Sequence, residues 1–122
     1  MDKTDQSNPI ESKAVIAEVA EGNFEQEVLR SEQPVLVEFW APWSRPCQIL
    51  DSVLLEVAAA CAGKAKVVKV NGDSSLYLSL WYDIPAIPTL LCFIDGKLRV
   101  RIVGTASKEA ILAKLKPFDI PV

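Results

Sequence analysis

The most constraining feature of the sequence is a short run in which almost every residue is apolar. Positions 34–40 read PVLVEFW. A strand with one face in water alternates apolar and polar residues, whereas a strand covered on both faces is apolar almost throughout. The run therefore predicts a central strand with helices on both sides of its sheet, interrupted by a single charge at Glu38.

The periodicity of the remaining sequence predicts further strands and helices around this strand. Predicted strands lie at residues 14–17, 67–70, 89–94 and 97–102, and predicted helices follow Asn23, Pro46, residue 74 and Ser107. We expect Asn23 to cap the first helix, with Gln26 three residues further on. The pair Asp95-Gly96 is typical of a tight hairpin turn. This order predicts an α/β fold with a mixed central sheet: a parallel part, a C-terminal antiparallel hairpin, and helices on both faces.

The length and the polarity of the N-terminus suggest how the chain is divided. Residues 1–12 are polar, include Pro9 and show no periodicity, so we expect a flexible N-terminal arm. The chain has 122 residues in all. That length suits one domain of ordinary size, which we place at residues 13–122.

The composition excludes several classes of function. The chain has no histidine and only three scattered cysteines, so a Ser-His-Asp triad, a Cys-His pair and a metal centre are not expected, and no cofactor is indicated. The net charge of −3 argues against a nucleic-acid surface. The N-terminus lacks the apolar core of a signal peptide, and no apolar run reaches membrane-spanning length, so we expect a cytoplasmic protein away from membranes.

The chemically informative stretch is FWAPWSRPC at residues 39–47. It follows the central strand and opens the predicted second helix, which is the edge of an α/β sheet where catalytic groups usually gather. The N-terminus of a helix carries a positive dipole that stabilises a thiolate. Cys47 is therefore the candidate chemical group.

This stretch resembles the active-site region of the thioredoxin family, which has Trp-Cys-Gly-Pro-Cys at the same strand-to-helix junction. The resemblance covers roughly residues 23–116. The matching segments, in chain order, are residues 39–41, Trp43, Lys69 with Asn71 and Asp73, Ile87-Pro88-Thr89 and Val103-Gly104. Ile87-Pro88-Thr89 matches the family's cis-proline loop. The resemblance implies the thioredoxin fold and a place in thiol-disulfide exchange and cell redox homeostasis.

The departures from the family pattern bear on function. The family's attacking cysteine aligns with Ser44 and its glycine with Arg45, while the second cysteine is retained as Cys47. Disulfide exchange requires a thiolate that attacks and a second thiol that resolves the mixed disulfide. A serine hydroxyl stays protonated without a general base, and the chain has no histidine to serve as one. The ordinary dithiol cycle is therefore not open to this sequence.

Cys47 itself admits two interpretations. It is either a reactive lone thiol, helped by Arg45 and the helix start, or a buried helix cysteine that acts as a small hydrophobic residue. A reactive thiol could form a mixed disulfide with glutathione or a partner, or a dimer through Cys47; otherwise we expect a monomer. Cys61 and Cys92 are expected in the core.

Glu38 and Lys69 each place a charge inside an apolar strand. The resemblance implies a buried acid and a nearby lysine that handle protons during cysteine attack. Because the attacking thiol is missing, a structural or vestigial pair is the favoured interpretation.

The resemblance also implies a groove that binds extended protein or peptide segments beside Trp43 and Pro88. The residues expected around it are Trp43, Arg45, Pro46, Ile87, Pro88 and Gly104, called here the partner surface. Recognition of an extended segment by backbone and apolar contacts does not need the attacking thiol.

Two hypotheses of function remain at this level. The first is a redox-impaired or monothiol module of the thioredoxin family that binds partners. The second is an active Cys-Arg-Pro-Cys protein disulfide oxidoreductase in which Ser44 is an engineered substitution.

Overall fold

A five-stranded mixed sheet organises the chain in the computed structural model, which describes residues 16–118 and residue 120. The strands are β1 Ala17–Glu18, β2 Val35–Trp40, β3 Lys66–Asn71, β4 Thr89–Ile94 and β5 Lys97–Val103. Their order across the sheet is β1-β3-β2-β4-β5. β1 and β2 run parallel to β3, whereas β4 is antiparallel to both β2 and β5. The predicted parallel part and C-terminal hairpin are confirmed.

In the part of the chain that the structure describes, three α-helices and three shorter helical segments surround the sheet. The α-helices are α1 Arg45–Ala60, α2 Leu76–Trp81 and α3 Lys108–Leu115. The shorter segments are a 3₁₀ turn at Glu21–Asn23, a π-helical segment at Glu25–Leu29 and a 3₁₀ turn at Lys116–Phe118. None of the helices in the described part of the chain combines the length and the apolar character needed to cross a membrane.

The central strand β2 is buried on both faces, as its sequence predicts. Val35, Val37 and Phe39 point into a core shared with the N-terminal helical segments and α2. Leu36 points into the opposite core, which α1 and α3 close. Because side chains alternate along a strand, Glu38 shares the α1 side of the sheet with Leu36.

The start of the first helical segment differs from the sequence-based expectation. Asn23 is not an N-cap but the last residue of a 3₁₀ turn, and its Oδ1 accepts a hydrogen bond from the backbone amide of Ala20 at 2.9 Å. Its side-chain oxygen is thus bonded to an amide that precedes it and is not available to the next turn. The apolar face is as expected, since Phe24 and Val28 are buried.

Two other expectations concern the N-terminus. The predicted first strand at residues 14–17 is observed as the two-residue strand β1, and residues 14 and 15 lie outside the described residues. The arm expected at residues 1–12 also lies outside them.

The hairpin between β4 and β5 follows the sequence closely. Asp95 and Gly96 both have positive φ, at 53° and 77°, which is the backbone that a tight hairpin turn requires. Along β5, Leu98, Val100 and Ile102 are half-buried and the residues between them are exposed. The predicted alternation is therefore confirmed.

Candidate functional site

Ser44 lies at the N-cap of α1, directly after the loop that follows β2. Its Oγ accepts a hydrogen bond from the backbone amide of Cys47 at 3.3 Å, and its own amide donates to the carbonyl of Ala41 at 3.1 Å. The residue is only 3% exposed. Serine is a preferred N-cap because its hydroxyl satisfies an amide that the helix leaves free. The hydroxyl at the position of the missing nucleophile is therefore engaged in capping.

Cys47 is a buried thiol in the first turn of α1. It is 1% exposed, and burial raises the pKa of its thiol. The hydrogen bonds from Ser44 and Ala41 act in the opposite direction, while the negative charges of Glu38 and Asp51 raise the pKa further. A thiol of this kind is mostly protonated at neutral pH, and the thiolate is the reactive form. The burial favours the interpretation of Cys47 as a small hydrophobic residue over that of a reactive thiol.

Glu38 is the fully buried acid of the site. Burial, followed by the hydrogen bond and the negative charge of Asp51, raises the pKa of Glu38 to about 9, and the nearby Lys69 only partly opposes this. Glu38 and Lys69 are paired across β2 and β3. They form no direct ion pair, and the Lys69 ammonium lies 4.6 Å from the centre of the Trp40 ring.

Asp51 is the residue of this group that the sequence analysis did not single out. It lies on α1 four residues after Cys47, a spacing that places both side chains on one face of a helix. The four-residue spacing from Cys47, together with the expectation that Glu38 is a buried acid, is the signal that could have identified Asp51.

Trp43 stands at the surface of the loop before α1, with 68% of its area exposed. Its indole Nε1 donates a hydrogen bond to Oδ2 of Asp73 at 2.8 Å, which fixes the plane of the ring. Trp43 and Ile87 line one surface depression of about 320 Å³. The full lining is Trp43, Gly72, Asp73, Ser79, Ile84, Pro85, Ala86 and Ile87.

The other residues of the partner surface do not line this depression. The Ile87–Pro88 peptide bond is cis, and the Pro88 side chain is buried. The carbonyl of Pro88 accepts a hydrogen bond from the Gly104 amide at 2.8 Å, and Gly104 adopts a φ of +86°. Arg45 and Pro46 are exposed at the start of α1.

An apolar face of α2 is exposed, and the sequence analysis assigned it no role. The four side chains that form it are each more than 60% exposed: Leu76, Tyr77, Leu80 and Trp81. The rings of Tyr77 and Trp81 stack at 5.9 Å. Periodicity alone did not show that the larger side chains of this short helix face solvent.

Cys61 and Cys92 are buried core residues, and all three cysteines carry free thiols. Within residues 16–118 and residue 120, no group of three Cys, Asp or Glu side chains is arranged to hold a metal ion.

Comparison with known proteins agrees with this architecture. Residues 15–117 match the family model described as Thioredoxin. The thioredoxin of Griffithsia pacifica is 43% identical over 101 residues, which cover 83% of this chain and 93% of the relative. Thioredoxin 1 of Nostoc sp. is 43% identical over 100 residues, covering 82% of this chain and 94% of the relative. The thioredoxin of Pseudomonas aeruginosa is 42% identical over 100 residues, covering 82% of this chain and 93% of the relative.

The mixed sheet, the loop that leads from β2 into α1, and a match over nearly the whole described chain all point to one group of proteins. The chain belongs to the thioredoxin family, and with it to the thiol-disulfide redox class.

Proposed function

We propose that this chain is a redox-impaired member of the family, which binds segments of partner proteins and does not reduce their disulfides. One observation carries the proposal. The hydroxyl at position 44 is buried as the N-cap of α1, and the only thiol beside it, Cys47, is buried and has a raised pKa.

The chemistry of Ser44 and Cys47 is the reason why we expect no dithiol cycle of disulfide reduction. Attack on a disulfide needs a thiolate, and release of the product needs a second thiol near the first. Ser44 supplies a hydroxyl, which cannot form a disulfide with Cys47. The chain has no histidine that could activate that hydroxyl.

The surface around the missing nucleophile is still suited to binding. Trp43 presents a large apolar face whose orientation is held by Asp73, and the depression beside it is lined largely by apolar residues. Exposed aromatic side chains of restricted freedom are typical anchors of protein interfaces. The partner chemistry that fits is an extended segment with apolar side chains. We place the bound segment beside Trp43 and Ile87, with Pro88 and Gly104 at its edge.

The proposal is tested by separating reduction from binding. The first assay follows reduction of insulin disulfides with dithiothreitol as electron donor, and we expect the rate with the protein to equal the background rate. The second assay titrates the ¹⁵N-labelled protein with S-carboxymethylated insulin B chain, an extended apolar probe without free thiols. We expect amide shifts confined to residues around Trp43, Ile87 and Gly104.

Two variants serve as comparison. Trp43→Ala removes the anchor and should weaken binding of the probe about tenfold or more. Cys47→Ala should leave the affinity unchanged, because the thiol is buried. Disulfide reduction by the unaltered chain, or loss of binding in Cys47→Ala, would contradict the proposal.

The alternative is a natural Cys-Arg-Pro-Cys oxidoreductase in which Ser44 is an engineered substitution. A cysteine codon at position 44 of the natural gene would support it. A serine codon there would leave the redox-impaired module as the function.

A further inference from the structure

The exposed side chains of α2 form one apolar stripe on the outside of the protein. We call this stripe the α2 face; its members are Leu76, Tyr77, Leu80 and Trp81. Residues four apart on a helix are neighbours, so the four side chains stand in two adjacent pairs, and one of these pairs is the stacked rings of Tyr77 and Trp81. The sequence of α2, LYLSLW, contains no charged residue, and Leu78 is its buried side chain. The helix therefore presents most of its apolar surface to solvent.

Polar contacts from two other parts of the chain hold α2 in this orientation. At its start, Oε2 of Glu21 accepts hydrogen bonds from the backbone amides of Tyr77 at 2.7 Å and Leu78 at 3.3 Å. At its end, the guanidinium of Arg101 donates to the carbonyl of Tyr82 at 2.9 Å and to that of Asp83 at 3.2 Å. A helix this short is not stable alone, so these bonds fix its position. A surface that is already ordered loses less conformational entropy when it binds.

The α2 face adjoins a hollow in the same surface. This second depression has a volume of about 320 Å³, and two residues of the α2 face, Tyr77 and Trp81, form part of its wall. The full lining is Glu21, Phe24, Glu25, Leu29, Tyr77, Leu78, Trp81 and Tyr82. Leu80 does not line the depression and is 81% exposed. A twofold dimer brings the same patch of both copies together, so a patch that offers both a protruding side chain and a hollow suits it.

The size of the α2 face is sufficient for a dimer contact. At their observed exposures the four side chains present on the order of 600 Å² of surface. The largest apolar patch on a typical monomer is about 300–600 Å² and is often functional. Two such faces packed together would bury about 1,200 Å², the lower end of the range for specific interfaces.

The charges at the border of the α2 face are already matched within the chain. The Glu21 carboxylate is bonded to the start of α2, and Glu25 forms an ion pair with Arg30 at 3.1 Å. At the other end, the cationic side chain of Arg101 lies against the backbone of Asp83. The border therefore neither selects a strongly charged partner nor repels a second copy of itself.

We propose that the α2 face joins two copies of this chain in a symmetric, non-covalent dimer. Apolar side chains of each copy, Leu80 foremost, pack against the α2 face and the adjoining depression of the other copy. Cys47 has no part in this contact, because it is 1% exposed. The proposal does not rest on partner binding, since no residue of the α2 face belongs to the partner surface.

The experiment is sedimentation equilibrium of the full chain with dithiothreitol present, so that disulfide-linked dimers do not form. An interface of this size gives dissociation constants in the micromolar range, and we expect the mass to rise from that of one chain to that of two between about 1 µM and 1 mM. Dilution of the ¹⁵N-labelled protein over the same range locates the contact. The amide shifts should be confined to α2 and the residues that line the adjoining depression, while Arg45 and Gly104 should stay unchanged.

Two variants and a control test the α2 face directly. Leu80→Gln and Trp81→Gln replace exposed side chains, so the fold should be retained, and each should raise the dissociation constant about tenfold or more. Ile49→Gln is the matched control, since Ile49 is an apolar residue of α1 that is 59% exposed. It should leave the dissociation constant unchanged.

Three results would overturn the proposal. The first is the mass of one chain at every concentration. The second is a dimer whose dissociation constant is the same in Leu80→Gln and Trp81→Gln, or whose amide shifts centre on Arg45 and Gly104. The third is a chain that stays monomeric in solution but co-sediments with phosphatidylcholine vesicles, because the α2 face would then bind lipid.

Discussion

Ser44 caps the helix that contains Cys47: its hydroxyl accepts a hydrogen bond from the Cys47 amide at 3.3 Å, and both residues are buried. The position that bears the attacking thiol in the thioredoxin pattern thus has a structural task in this chain. The serine satisfies a backbone amide that has no other acceptor in the first turn of α1.

The capping role predicts a loss of stability in Ser44→Ala. The Cys47 amide would lose its acceptor in a place that water does not reach, at a cost of about 1 kcal/mol in the free energy of unfolding. Ser107→Ala is the matched control, because Ser107 caps α3 with a bond of 3.1 Å to the Ala110 amide but is exposed. Its cost should be smaller, about 0.5 kcal/mol. Urea denaturation measures both, and equal costs would show that burial of the Ser44 cap has no effect.

Ser44→Cys should restore a dithiol at the start of α1. The introduced thiol would lie at the helix N-terminus, where the thiolate is stabilised, and Cys47 would be available to resolve a mixed disulfide. We expect insulin reduction to rise from background to a measurable rate. The same substitution combined with Cys47→Ala should return the rate to background. If Ser44→Cys alone stayed inactive, the loss of function would lie beyond position 44, and the engineered-enzyme hypothesis would fail.

The raised pKa of Glu38 predicts that stability falls as pH rises. The pKa of this carboxyl is 4.5 in its ordinary state and about 9 in the fold. Between these values the folded chain binds a proton that the unfolded chain has released, so the free energy of unfolding decreases with pH. The contribution is fully present below pH 4.5 and is lost as pH rises to about 9, with a slope from this group of about 1.4 kcal/mol per pH unit.

The measurement is urea unfolding at several pH values for the unaltered chain and two variants. Glu38→Gln cannot bind that proton and should show a much shallower slope between pH 5 and 9, whereas the exposed Glu56→Gln should keep the original slope. A slope unchanged in Glu38→Gln would mean that this carboxyl is ionised in the folded protein at neutral pH.

The two glycines with similar backbone angles should differ in their tolerance of a side chain. A Cβ on Gly96, at φ +77°, would lie 2.7 Å from the carbonyl oxygen of Leu29, whereas a Cβ on Gly63, at φ +81°, would meet nothing within 4 Å. Gly63→Ala should therefore cost only the backbone strain, about 1 kcal/mol. Gly96→Ala adds a backbone clash, and we expect about 3 kcal/mol. Thermal or urea unfolding compares them, and similar losses would contradict a contact between the hairpin turn and Leu29.

Much of the fold could be predicted because it is encoded in local patterns. The apolar run of β2, the Asp95-Gly96 turn and the alternation along β5 are properties of neighbouring residues, and each predicted its element. The first helical segment was predicted less well. There the side chain of Asn23 accepts a hydrogen bond from the earlier amide of Ala20 and does not cap the following turn. Periodicity does not distinguish between these two local hydrogen bonds.

The candidate site was likewise predicted in part from the sequence. Residue identities alone predicted the position of the site at the start of α1. They also showed that a dithiol is absent and that Cys47 is retained. The sequence analysis did not find Asp51 beside Glu38 or the hydrogen bond between Trp43 and Asp73. These pairs join different elements, and their contact arises only when α1 and the loop after β3 pack against the sheet.

By itself, the sequence determined most of the strands and helices, the family to which they belong and which thiol is missing, since periodicity, turn residues and motif spacing are all local. Only the tertiary structure decided that Ser44 and Cys47 are both buried, and that two carboxyl groups meet beside the thiol. It also decided that the apolar side chains of α2 face solvent. Burial and charge proximity depend on which distant segments pack together, and they set the pKa of each group and its access to solvent.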